Sequence, residues 1–381
     1  MTGDMRPVPV ITGACVASGV LGSVHAFSVY LVSVERAFDV TRATASLPYS
    51  LALAGISIAV LFGPALYGRI AAPLLLGAAL AGAALGAATA AFASNMATFL
   101  LGYGIVFGLS NGVGYGFALQ VAGRATPGRE GFAMGAVTAA YALGAALAAF
   151  PLAAILSRAG MQASLLALAL VLLLSAPVAG GLLHAGRARF AAQARATARR
   201  HPVLLLWLAY TSAVAAGLMA IGHASAIAVA SGVTALWLAP ALIALGNLAG
   251  SYCGGILGDR IAIARIMTGL GLWSAAALAL AATNPGGPVT LAALTCVGIT
   301  YGASIAVFPA LIAKQYGPTD GPSVYGRVFT GWGLMGLCAP WIAGTLFETT
   351  GAYQVPLLIA AALALASAAI SLRLPRSMPR H

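Results

Sequence analysis

The chain has 381 residues, of which 61% are hydrophobic and only 7% charged, against about 25% charged in an ordinary soluble domain; a water-soluble globule is excluded. Its formal charge of +12, from 19 Lys and Arg against 7 Asp and Glu, would point to nucleic acid in a polar chain. In a chain this apolar the excess is better read as membrane topology, and no nucleic-acid partner is expected. Crossing a ~30 Å hydrocarbon core takes about 20 helical residues, so the length accommodates roughly 12 spans with short loops and no separate soluble domain. Cys15, Cys253, Cys296 and Cys338 all fall in apolar runs without CxxC spacing, so neither a disulfide framework, a metal site nor any other cofactor is expected.

Apolar runs interrupted by charged or turn residues place spans one to twelve at 8–33, 46–68, 71–93, 97–122, 131–156, 162–184, 203–228, 234–258, 266–283, 288–313, 324–347 and 352–372. The first is longer than the apolar core of a secretory leader and is read as a retained span. One long hydrophilic stretch, 185–202, carries Arg187, Arg189, Arg195, Arg199 and Arg200 and separates a six-span segment, 1–184, from a second, 203–381. The expected fold is an all-α membrane protein with 12 transmembrane helices in two pseudo-symmetric six-helix bundles. Basic residues near span ends are retained in the cytoplasm. With both termini inside, Arg6, Arg69, Arg124, Arg129, the five connector arginines, Arg260, Arg265, Lys314, Arg327, Arg373, Arg376 and Arg380 are cytoplasmic. Arg36, Arg42 and Arg158 alone fall outside. This asymmetry predicts a multi-pass protein of the plasma (inner) membrane, with the lipid bilayer as its surroundings and both termini cytoplasmic.

Glycine patterning predicts how spans meet. Span four carries Gly104, Gly108, Gly112 and Gly116, and span eight Gly246, Gly250, Gly254 and Gly258, both at four-residue spacing. Lipid supplies no hydrophobic drive between helices, so small residues that let backbones approach do much of the packing. Both stripes are read as close helix crossings.

Six spans, a basic connector and six more spans are the layout of a transporter built from two related halves. Internal echoes fit this. Span eight ends in Gly255-Ile-Leu-Gly-Asp259-Arg260, and span two ends in Gly63-Pro-Ala-Leu-Tyr67-Gly-Arg69. The second copy resembles the GxxxD(R/K) signature of the major facilitator superfamily, in which acid and base latch the cytoplasmic helix ends. That resemblance implies a latch role for Gly255, Asp259 and Arg260. The first copy has Tyr67 where the acid would be.

Two longer blocks carry a finer resemblance. Gly112-Val-Gly-Tyr115-Gly116 with Pro127-Gly-Arg129-Glu130-Gly131-Phe-Ala-Met-Gly135, and Tyr325-Gly326-Arg-Val-Phe-Thr330-Gly-Trp332-Gly333 with Pro340 and Thr350-Gly351-Ala-Tyr353, are similar to the oxalate/formate antiporter and monocarboxylate porter branch, which carries small organic anions. Carboxylate carriers of that branch place an arginine in helix eight, eight residues before the motif acid; here that residue is Ser251. The oxalate carriers add a lysine in helix eleven, where this chain has Trp332. A dianion therefore lacks paired cations, and unpaired charge in a low-dielectric cavity is costly. Oxalate is disfavoured, and a monocarboxylate loses its usual anchor.

All seven acids, Asp4, Glu35, Asp39, Glu130, Asp259, Asp320 and Glu348, lie at or beyond span ends. Apart from cysteines and tyrosines, the ionisable groups deep in spans are His25 in span one and His223 in span seven, at equivalent places in the two halves and each followed by alanine. Histidine titrates near neutrality, so such a pair could bind a proton together with an anion. The alternative is that each neutral ring bonds a carbonyl or hydroxyl on a neighbouring helix. Tyr30, Tyr115, Tyr141, Asn247, Ser251, Tyr301 and Trp332 complete the candidate substrate site; each could equally serve packing or an interfacial belt.

The chain has no GxxxxGK(S/T) phosphate loop and no histidine–acid–nucleophile set, so an enzyme is not expected. Three functions stay open. The first is a secondary carrier, working by alternating access, for a monocarboxylate-type anion by proton symport or exchange. The second is a carrier or efflux pump of the same fold for a neutral or apolar solute. The third is a non-transporting sensor or scaffold. A monomer with a small-molecule substrate is expected.

Overall fold

The computed structural model describes residues 5–40, 42–190, 200–235 and 238–374. Connector residues Arg195 and Arg199 and the terminal Arg376 and Arg380, all placed inside by charge, lie outside them. In the described residues the chain is helical throughout, with one isolated bridge between Tyr67 and Ile70. This is the expected solution for an apolar chain, because a helix satisfies its own backbone polar groups where water is absent.

Among the described residues ten helices are long and apolar enough to cross a membrane, and two of these, Glu130–Ala185 and Gly287–Thr350, contain 56 and 64 residues. Straight helices of that length would run about 84 and 96 Å at 1.5 Å per residue, close to three hydrocarbon cores. Each is two spans joined at one non-helical glycine, Gly160 (φ 83°) and Gly317 (φ 65°), a conformation open to glycine and costly for other residues. Divided there, the ten helices become the twelve spans of the sequence pattern.

Several spans are irregular. Span one runs as α-helix over Pro7–Leu21, changes to 3-10 helix over Gly22–Val29, and resumes as α-helix over Leu31–Phe38. Span four contains a π-helical stretch, Leu100–Phe107. Span seven breaks between Ile221 and Ala224. Packing divides the chain into two compact units, Met1–Pro127 with Ala140–Ala194, and Gly128–Ala139 with Arg195–His381. The opening residues of span five thus belong to the second unit.

In the first unit, β-carbons placed on Gly104, Gly108 and Gly112 would strike Leu51, Ala52 and Ile56 of span two, and one on Gly116 would lie against Val60 and Tyr67. In the second, Gly246, Gly250, Gly254 and Gly258 face Thr295, Ile299, Ala303 and Val307 of span ten. Both stripes mate with a four-residue row, as close helix packing requires. Spans two and four of the first half correspond to eight and ten of the second, so the same crossing recurs with the glycines on opposite partners. Apolar side chains such as Leu74, Leu147, Phe150, Leu174 and Trp341 remain exposed, as suits a surface facing lipid.

Span ends also pair within each unit. The Arg6 amide donates to the Gly186 carbonyl at 2.9 Å, so spans one and six begin and end on one side. Lys314, past span ten, reaches the end of span eight.

Candidate functional site

His25 lies in the 3-10 segment of span one. Its Nδ1 is 2.8 Å from the Tyr49 hydroxyl of span two, and the Tyr49 and Tyr141 rings meet it edge-on at 6.0 and 5.6 Å. Phe27 stacks on Tyr49 at 5.9 Å and tilts against Tyr103 at 4.9 Å. Tyr115 packs on Tyr141 at 4.8 Å. Tyr141 donates to Asn111 Oδ1 at 3.0 Å, and Asn111 Nδ2 donates to the Leu21 carbonyl at 2.7 Å. The result is an aromatic cage around one imidazole, with hydroxyls and an amide on its walls. A phenol can donate to Nδ1 or accept from it, so Tyr49 suits either charge state of the ring. Tyr30 stands apart: its hydroxyl donates to Ser164 at 3.0 Å, and Ser164 in turn donates to the Leu152 carbonyl, which ties span one to span six.

His223 sits in the break of span seven. Its Nε2 is 2.9 Å from the Pro340 carbonyl and its Nδ1 3.3 Å from the Tyr353 hydroxyl. A carbonyl only accepts, so Nε2 carries the proton. Both histidines thus make the carbonyl or hydroxyl contacts of the structural alternative, but in unlike settings. His223 is tied to backbone, whereas His25 is held by a side-chain hydroxyl among aromatic rings.

Trp332 Nε1 donates to the Tyr301 hydroxyl at 2.9 Å, and Phe329 stacks on Trp332 at 5.1 Å. Trp332 and Tyr301 thus form an aromatic pair, joined by a hydrogen bond. Ser251 is fully buried, its hydroxyl within reach of the Gly302 carbonyl at 3.1 Å and Asn247 Oδ1 at 3.2 Å. These two residues knit span eight to span ten.

The contacts of Asp259 differ from those the motif implies. Asp259 accepts hydrogen bonds from the backbone amides of Gly131 and Phe132 at 2.9 and 2.8 Å, where the N-terminal end of span five presents unsatisfied donors and a positive dipole. Its cation is Lys314, at 3.0 Å, which also donates to the Gly258 carbonyl at 2.7 Å. Arg260 is exposed and, among the described residues, has no ion-pair partner; the base lies 54 residues further along the chain than the motif suggests. Gly255 is needed for contact, since a β-carbon there would meet the Gly131 carbonyl and Gly135 Cα.

At the end of span two Tyr67 replaces the acid. It is buried against Phe117 and Phe190 at 5.2 and 5.3 Å, and the Arg124 guanidinium lies 3.6 Å above the Phe190 ring. An aromatic clasp with a cation–π contact stands where an ion pair would be. Separately, a groove of about 480 Å³ between spans one, five and six is lined almost wholly by apolar side chains, among them Val16, Leu143, Leu147 and Leu168. Among the described residues no three His, Cys, Asp or Glu side chains gather as metal ligands would.

Tyr49, Tyr103, Asn111, Lys314 and Phe190 were not among the sequence candidates. An asparagine inside an apolar run is itself a signal, so Asn111 was legible. Tyr49 is not, because a tyrosine near the end of an apolar run carries no mark of the helix that it will face.

The Major Facilitator Superfamily profile matches residues 12–268 and 230–381. The chain is 26% identical over 342 residues, 86% of its length and 85% of the other, to the uncharacterized MFS-type transporter YhjX of Escherichia coli strain K12. Its fold is similar to FucP, the E. coli fucose:proton symporter, in the outward conformation, with TM-score 0.78, 18% identity, and 97% and 99% of the two chains covered. It is also similar to the proton:xylose symporter XylE, with TM-score 0.76, 13% identity, and 97% and 96% covered. The human organic anion transporter MFSD10 gives TM-score 0.70, 16% identity, and 96% and 99% covered.

Proposed function

This chain belongs to the major facilitator superfamily and is a multi-pass membrane transporter, not an enzyme; on that premise we propose that it carries a small monocarboxylate-type anion by alternating access, moved with a proton or by exchange. The observation that carries the reading is the His25 cage. One imidazole, bonded to the Tyr49 hydroxyl and faced by Tyr141, supplies a group that can gain charge as an anion arrives, in a chain without a lysine or arginine deep in its predicted spans. Protonation of His25 and binding of a carboxylate would favour each other, because a neutral pair of charges is less costly in a low dielectric than either alone. The blocks around Tyr115 and Trp332 that resemble the monocarboxylate porter branch support the same substrate class. Asn111 and Tyr115 are assigned to the walls of this site. Trp332 and Tyr301 give an aromatic surface in the second unit, and His223 is assigned a bracing role. By span count the chain is assigned to two six-span segments, 1–184 and 203–381, joined by the connector 185–202, although packing groups Gly128–Ala139 with the second unit; a monomer is proposed. Both termini are placed in the cytoplasm, which the basic residues at that end of the spans support.

A second reading, transport of a neutral or apolar solute, is favoured by the apolar groove of the first unit and by the Trp332–Tyr301 pair in the place of a cation. The structural neighbours include two proteins named as sugar symporters and one named as an organic anion transporter, so both substrate classes occur on this fold.

Uptake by purified protein in liposomes separates the readings. Labelled formate, acetate, lactate and pyruvate are compared with labelled fucose and xylose, each with and without an inward proton gradient. Saturable uptake of one of the carboxylates is expected. Saturable uptake of a sugar, with indifference to all four carboxylates, would replace the first reading with the second.

A further inference from the structure

The geometry points to Asn111 as the positioning residue of the His25 site: its amide holds the change of pitch in span one that turns His25 toward Tyr49, and its carbonyl oxygen orients Tyr141 against the same ring. The inference rests on the reading of His25 as the proton and anion group.

Span one changes from α to 3-10 helix directly after Leu21. An α-helix advances about 100° and 1.5 Å per residue, and a 3-10 helix about 120° and 2.0 Å. Over the four residues from Leu21 to His25 the difference is about 80° around the axis and about 2 Å along it. A continuous α-helix would therefore carry the imidazole well away from the Tyr49 hydroxyl, which now lies 2.8 Å from Nδ1. The 3-10 form is the poorer hydrogen-bonding arrangement and is uncommon beyond a few residues, so a run of eight, Gly22–Val29, needs support from outside.

Asn111 supplies that support at the point where the pitch changes. It is fully buried in span four. Its Nδ2 donates to the carbonyl of Leu21, the last α-helical residue, and its Oδ1 accepts from Tyr141. An amide carries its donor and its acceptor on two separate atoms, so it can reach Leu21 with one and Tyr141 with the other; aspartate keeps the Tyr141 bond and loses the donor, and alanine loses both. Close packing adds to the constraint, because a β-carbon on Gly22 would strike the backbone of Tyr141. The placing of the His25 ring beside Tyr49 and the orientation of Tyr141 against it thus both depend on Asn111, whose own bonds run to Leu21 and Tyr141.

The test is the imidazole itself. In full-length protein in nanodiscs with ¹⁵N-labelled histidine, His25 is assigned by its loss in His25→Gln, and its ring resonances are compared in wild type, Asn111→Ala, Asn111→Asp and Tyr49→Phe. Both Asn111 variants are expected to move the His25 signals toward their positions in Tyr49→Phe, leaving His223, in the other unit, unchanged. They are also expected to speed amide exchange over 22–29 at least tenfold, and Tyr141→Phe to do so far less. His25 signals in Asn111→Ala that match the wild type overturn the proposal. Equal movement of His25 and His223 overturns it too, since that marks general loosening. Should the buried aspartate prevent folding, the alanine variant decides. None of these readouts needs a substrate: failure of wild-type carboxylate uptake refutes the transport reading and leaves the Asn111 result standing.

Discussion

Replacing Asp259 by asparagine tests the latch. The carboxylate accepts two amide bonds from Gly131 and Phe132, at 2.9 and 2.8 Å, and pairs with Lys314 at 3.0 Å. A hydrogen bond to a charged group is worth about 1.5–3 kcal/mol and a neutral one about 1. Asparagine can accept one amide bond through its oxygen but turns its NH₂ group against the other amide. Two charged bonds at about 2 kcal/mol each become one neutral bond, a loss of about 3 kcal/mol. The ion pair adds less than about 1 kcal/mol, because the Lys314 side chain is 30% exposed and solvent screens it. A loss of about 3 kcal/mol raises the population with span five detached from Asp259 about a hundredfold. Hydrogen exchange in nanodiscs, followed by mass spectrometry on peptides covering 128–139, reads that population. Exchange there should rise about a hundredfold in Asp259→Asn and less than tenfold in Lys314→Met, with span two unaffected. Unchanged exchange in Asp259→Asn, or a larger change in Lys314→Met, would refute the assignment of the amides as the main partners.

The two histidines are expected to differ: His25→Gln abolishes gradient-driven carboxylate uptake, and His223→Gln mainly lowers the melting temperature, by an amount corresponding to one or two hydrogen bonds, about 1–3 kcal/mol. Gly144→Ala forces a β-carbon onto the Gly19 carbonyl, whereas one on Gly181 meets nothing within 4 Å; the first should cost about 2 kcal/mol or more and the second less than about 0.5, as read by thermal unfolding in detergent. Phe190→Ala removes the ring beneath Arg124 and beside Tyr67, so limited proteolysis should cut faster near 186–190. Phe190→Tyr should restore resistance, since a phenol ring keeps the cation–π contact.

What could be read in advance was what depends on one helix at a time. The loops at Gly160 and Gly317 follow from turn residues between apolar runs, and the stripes of spans four and eight announce close crossings by spacing alone. The rows they mate with, Leu51 to Val60 and Thr295 to Val307, could not be read, because an ordinary alternation of small and large residues carries no mark of its partner. Lys314 was hidden for a similar reason. The motif places Arg260 beside Asp259 in sequence, yet side chains of neighbouring residues diverge on a helix, and the cation that can face Asp259 comes from another span. The bend that presents His25 was the least legible feature. Nothing in Gly22–Val29 forbids an α-helix, and the change of pitch depends on an amide in span four and on the approach of span five. Tyr49 entered the site only through that bend.

The central claim is that His25 binds a proton and a carboxylate together. Its most direct test is the paired measurement of proton and labelled pyruvate fluxes into proteoliposomes, wild type against His25→Gln, under an imposed inward proton gradient with the membrane potential clamped. The account predicts saturable wild-type pyruvate entry accompanied by a proportional proton flux, and loss of both fluxes in His25→Gln. Pyruvate and proton entry at wild-type rates in His25→Gln would contradict it.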